Sequence, residues 1–273
     1  MLRRLIFAFS ILVLWSGAGI ASVQQASAAP ASTARLPNTP DAAALINEAG
    51  RLRMLTERMG KAYAQIALNI QPTRSQEQLI AAQKRFEENL DFVGRGAITS
   101  ELKTTLEAVT AAYASYAKAL AKPADRNSVA DAHRLTEKLV AEAEKLTAAF
   151  ERMAQTAPAK IVNVSGRQRM LSQRLARLYF AAALGQRDGD ISKYREEFKS
   201  ALANLETAPL TSLEIKRELD LAKGQWLFLE QALLGKGDPT ENLRNVATTS
   251  ERLLETMDNL TTLYSKALKA LMG

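Results

Sequence analysis

Arginine at three fixed positions of a twelve-residue stretch, spelled twice, is the feature of this chain best suited to chemistry. Asn47–Arg58 reads NEAGRLRMLTER and Asn163–Arg174 reads NVSGRQRMLSQR, with seven of the twelve positions identical. A guanidinium is always charged and presents paired planar donors, so it grips flat or tetrahedral oxyanions better than the point charge of lysine. Glycine inside a helix costs roughly 1 kcal/mol relative to alanine. Its use at the same place in both copies, Gly50 and Gly166, points to close approach by another segment. Met54 and Met170, one turn on, supply adaptable apolar contact.

On a helical wheel, Leu45, Ala49, Leu52, Leu55, Met59, Tyr63, Ile66 and Ile70 form a core stripe. Asn47, Gly50, Met54 and Lys61 lie on the opposite face, flanked by Arg53 on one side and by Arg51 and Arg58 on the other. The second copy repeats the arrangement with Asn163, Gly166, Arg167, Arg169, Met170 and Arg174. Two such helices crossing at the glycines would gather arginines of both into one partly desolvated anion site. The candidate ligand residues are Arg53, Arg169, Arg58, Arg174, Gly50, Gly166, Met54, Met170, Asn47 and Asn163. The ordinary alternative is a solvated arginine or an i,i+4 pair, and Arg53 has Glu57 at that spacing. In the second copy Glu48 and Glu57 become Val164 and Gln173, so this stretch has no acid of its own and is expected to be the stronger anion binder.

The elements that must position these residues are helices. Ala, Leu, Glu, Lys, Arg and Gln dominate after Asp41, and Pro and Gly fall mainly where helices end. The pattern predicts helices over 41–70, 75–93, 99–121, 126–156, 159–186, 190–206, 210–235 and 239–271. Four helices with short connections, given twice, predict an all-α fold of two tandem four-helix up-down bundles related by internal duplication. Phe86 and Leu90 match Phe198 and Leu202 at an offset of 112, and Lys118-Ala-Leu matches Gln231-Ala-Leu at 113. The expected organisation is a signal peptide over 1–28, a flexible linker over 29–40, and bundles over 41–157 and 158–273.

A basic start at Met1–Arg4, an apolar run from Leu5 to Ala21 and the small-residue site Ala26-Ser27-Ala28 read as a secretory signal, with an uncleaved anchor as the rival. The expected location is therefore periplasmic. With no cysteine, stability must come from a hydrophobic core and not from disulfides. The net charge of +7 is spread among interspersed residues, which with export argues against nucleic acid as a partner. Small anions, anionic headgroups or an acidic protein suit it better. The only histidine, His133, lies on a predicted polar helix and reads as a surface residue; no metal-ligand spacing, cofactor motif or nucleophile suggests an enzyme. Trp226, Phe228, Tyr113 and Tyr116 fall at core spacings and read as packing.

The pattern N-x-[AS]-G-R-x-R-M-L-[ST]-x-R resembles the opening helix of the PilJ-type domain of type IV pili methyl-accepting chemotaxis transducers. It is also similar to the P-box helix of nitrate/nitrite-responsive sensor kinases. The resemblance implies a periplasmic four-helix sensor in which nitrate or nitrite binds between the first helices of two subunits, through the arginine at Arg53 or Arg169. Arg58 and Arg174 match a second position linked to response. It further implies signalling through a separate membrane receptor, kinase or transporter, since no such output segment follows. Here the two copies lie in one chain, so the pairing is either internal, as a pseudo-dimer, or between chains of a homodimer. A scaffold that uses the glycine seam only for protein contact is the competing function.

Overall fold

Eight α-helices account for nearly all of residues 40–272, the part of the chain that the computed structural model describes. They are α1 (Ala42–Ala67), α2 (Pro72–Gly94), α3 (Ser100–Leu120), α4 (Arg126–Ala154), α5 (Ala157–Ala183), α6 (Ile191–Glu206), α7 (Leu213–Leu233) and α8 (Pro239–Leu271). The predicted signal peptide and nearly all of the predicted linker lie outside the described residues. Among the described residues no helix is long and apolar enough to cross a membrane.

The boundaries follow local chemistry. Asp41, Thr99, Asp190, Ser212 and Asp238 each accept a backbone N–H three residues on, which satisfies one orphan donor at a helix start. Asp125 and Ser128 form a reciprocal capping box at the start of α4. Pro72, Pro158 and Pro239 sit in first turns, where a missing N–H costs nothing. That is why α2 begins at Pro72, earlier than the predicted 75. α1 stops at Ala67, short of the predicted 70, because Asn69 and Gln71 take left-handed backbone angles.

Within the first copy α1 packs on α2 and α4, and α3 on α4; within the second, α5 packs on α6 and α8, and α7 on α8. Each bundle holds a stacked aromatic pair at matching positions, Phe86–Tyr113 at 4.3 Å and Phe198–Trp226 at 4.4 Å. The two bundles join along α1 and α5, which lie against one another, with α8 also touching α1 and α4 touching α5. Consequently the face of α1 opposite its core stripe is buried too: Asn47, Met54 and Lys61 are almost fully covered, as are Met170 and Arg169 on α5. A helix apolar on one face and arginine-rich on the other is buried all round only if the second face finds partners for its charges.

One expectation on packing fails. Tyr113, Tyr116 and Trp226 are buried, but Phe228 is 62% exposed and shares the outer face of α7 with Leu221 and Leu227. Helical spacing places an aromatic on a face; it does not say whether a neighbour covers that face.

Candidate functional site

The two repeated stretches meet at their glycines. A Cβ on Gly50 would lie 3.0 Å from Nη2 of Arg53 and 3.7 Å from Nη2 of Arg169; one on Gly166 would lie 3.2 Å from Arg169 Nη2 and 3.6 Å from Arg53 Nη2. The glycines thus make room for guanidinium heads, not for a neighbouring backbone as anticipated. Both arginines are completely buried, and each reaches across the seam. Arg53 donates from Nη2 to Asn163 Oδ1 at 2.8 Å, and Arg169 donates from Nη2 to the Asn47 carbonyl at 2.9 Å.

Each guanidinium already holds an oxyanion, and it is a carboxylate of the same protein. Arg53 Nη1 is 2.5 Å from Glu144 on α4, and Arg169 Nη1 is 2.7 Å from Asp258 on α8. The same two acids also take an arginine from the other bundle, since Arg167 reaches Glu144 at 3.3 Å and Arg51 reaches Asp258 at 2.6 Å. Burial alone would push both carboxyls up, but Arg53 on Glu144, and Arg169 with Arg51 on Asp258, hold them below the usual range. Burial together with neighbouring Arg51 lowers Arg169 to about 10, so it remains a cation at neutral pH.

Arg58 and Arg174 are not drawn into this centre. They belong to a second tier one to two turns along, where Arg58 and Lys61 of α1 share Glu251 of α8, while Arg174 and Arg177 of α5 share Glu137 of α4. Burial raises the Glu251 carboxyl, but Lys61 and Arg58 outweigh it and bring it to about 2. One member of this tier breaks the two-fold relation: Glu57, fully buried, takes Arg174 Nε at 2.6 Å and Arg177 Nε at 2.5 Å, where its counterpart Gln173 bonds only neutral groups. Glu57 is therefore no i,i+4 partner of Arg53. The lack of acid within the second stretch has no bearing on its charge state, because α4 and α8 supply the carboxylates. His133 is buried beside Arg177, not on the surface.

The structure brings together Arg53, Arg169, Gly50, Gly166, Asn47 and Asn163, and sets Met54 and Met170 one turn away against the flanks of the seam. The acids that complete it were missed, although a signal existed: Glu137 and Glu144 recur as Glu251 and Asp258, seven residues apart on each helix and at one offset of 114. Acids at that spacing fall on one helix face.

Sequence comparison finds the same tandem repeat. The family model described as the type IV pili methyl-accepting chemotaxis transducer N-terminal domain, PilJ, matches residues 39–160 and again 153–249. The chain belongs to the PilJ family. Its tandem PilJ regions are the two copies that meet at the glycines, and α1 and α5 are their opening helices. The match is to the PilJ domain. No curated protein and no solved structure matches the chain.

Proposed function

We propose that this PilJ-type chain is an extracytoplasmic sensory module of a chemotaxis or type IV pili system that acts through protein contacts. In this reading its repeated motif clamps two bundles into an internal pseudo-dimer and binds no nitrate or nitrite. The observation that carries the reading is the pairing of Arg53 with Glu144 and of Arg169 with Asp258 in a buried seam. An arginine so paired offers a small anion nothing unless a carboxylate first leaves, and the carboxylate is tethered where the anion must arrive from dilute solution. Removing either arginine leaves a charge without its partner, the costly way to break such a pair.

Calorimetry and thermal melts test this together. Nitrate and nitrite at millimolar concentration should give no saturable heat and leave the midpoint unchanged, whereas Arg169→Ala should lower the midpoint by several degrees. Saturable nitrate binding that vanishes in Arg169→Ala would restore the anion reading. Crosslinking in the producing cells should trap the chain on a membrane component of a chemotaxis or pilus system; capture of no such component would remove the assignment to those systems.

A further inference from the structure

On the outer flank of the clamp a groove of about 480 Å³ opens between α1, α2 and α8. Arg51, Arg58, Arg74, Arg85 and Arg252 converge on it, against three acids. Two of those acids are already committed twice over: Asp258 serves Arg51 and Arg169, and Glu251 serves Arg58 and Lys61. Arg74 and Arg252, one on each wall, are exposed and pair with no carboxylate among the described residues. The third acid, Glu255, is exposed and pairs with no cation among the described residues, yet five arginines against three acids leave the lining net positive around an open space. Like charges drawn toward one spot repel, and an anion seated between them reverses the sign of that interaction.

Its floor includes the almost fully buried Met54 and Leu55, whose counterparts in the second copy are Met170 and Leu171. In the second copy Tyr194 of α6 stacks on Arg174, the counterpart of Arg58, its ring 4.9 Å from the guanidinium.

We propose that this groove is a binding site for a small multivalent oxyanion, an organic molecule bearing two or more carboxylate or phosphate groups. The volume lies in the range of small-molecule sites, roughly 300–1,000 Å³, and is far larger than a monovalent triatomic or tetratomic anion requires. Fork donors on two opposite walls suit a ligand with anionic groups at both ends. This goes beyond the protein-contact reading, which rests on the buried seam and on nitrate.

Calorimetry of the purified chain at low ionic strength, with citrate and with inorganic pyrophosphate as probes and nitrate for comparison, tests the site. Citrate, pyrophosphate or both should bind saturably, more weakly as sodium chloride is raised, with nitrate giving no heat. The double variant Arg74→Ala/Arg252→Ala, which breaks no ion pair of the fold, should lose at least tenfold in affinity with an unchanged melt. Lys216→Ala/Arg217→Ala on α7 removes the same charge elsewhere and should alter affinity less than twofold. Absence of saturable binding by both probes, or an equal loss in the two double variants, overturns the proposal; nitrate bound at the seam with no binding of citrate or pyrophosphate would overturn both readings separately.

Discussion

Arg177 Nη1 lies 2.6 Å from Nδ1 of His133, deep between α5 and α4. A guanidinium only donates, so Nδ1 must accept, and the imidazole is held neutral with any proton on Nε2.

Burial, and then the Arg177 charge, lower the His133 pKa from its ordinary 6.5, against the opposing pull of Glu137, Asp188 and Glu57. A histidine with a depressed native pKa adds stability that is complete above the unfolded value and is lost as pH falls through the native one. The melting midpoint should hold steady above about pH 7 and decline as the pH is lowered from 6.5. His133→Gln should flatten that decline. Melts at half-unit pH steps check it, and an unchanged slope in the variant rules out the histidine as its source.

Glu57 is the acid whose loss should hurt most. It is fully buried and neutralises Arg174 and Arg177 together. Glu57→Ala should cost about 3–5 kcal/mol by stranding buried cations. Gln173→Ala, at the equivalent neutral position, should cost only about 1 kcal/mol, the size of an ordinary hydrogen bond. Urea unfolding of both variants measures the difference.

Four carboxylates, Glu57, Glu144, Glu251 and Asp258, lie below their ordinary values in the fold, Glu251 at about 2. Depressed carboxylates stabilise above the unfolded pKa and release that stability as pH falls toward the native value. Acid unfolding should therefore steepen below about pH 4.5, and Glu251→Gln should remove part of that steepening. A pH titration followed by circular dichroism reads it directly.

Glycines in the two bundles should respond with opposite signs. A Cβ at Gly60 would stand 2.8 Å from Cδ of Arg177 and 2.9 Å from the Tyr116 hydroxyl, so Gly60→Ala should destabilise by about 1–3 kcal/mol. At Gly224 on α7 a Cβ meets nothing within 4 Å, and Gly224→Ala should stabilise by about 0.5–1 kcal/mol through helix propensity. Thermal melts of the two variants decide both signs.

Much of the architecture was readable because the periodicity of a half-buried helix and the chemistry of its caps are local. The eight helices and the duplication follow from such signals, whereas the meeting of Gly50 with Gly166 within one chain stood beside pairing between two chains as an open alternative. What the arginines bind was not readable, because their partners, Glu144 and Asp258, come from helices whose docking is a tertiary fact. The helical wheel put arginine, asparagine and glycine on one face correctly; it said nothing of the acids that would arrive there. His133 failed for the same reason. It looks polar on its own helix, yet Arg177 of the other bundle covers it. Phe228 erred in the reverse direction, for among the described residues no helix covers that face of α7.

Because α1 and α5 belong to one polypeptide, dilution cannot part the halves, and their encounter needs no second molecule. Identical subunits about a true symmetry axis must carry every substitution twice. A fused repeat is free of that constraint: Glu57 can face its role alone while Gln173 does another, and Arg174 can sit under the Tyr194 ring while its counterpart Arg58 lines a groove. Fusion thus lets the halves of a two-fold scaffold diverge, so that a site on one of them need have no twin on the other.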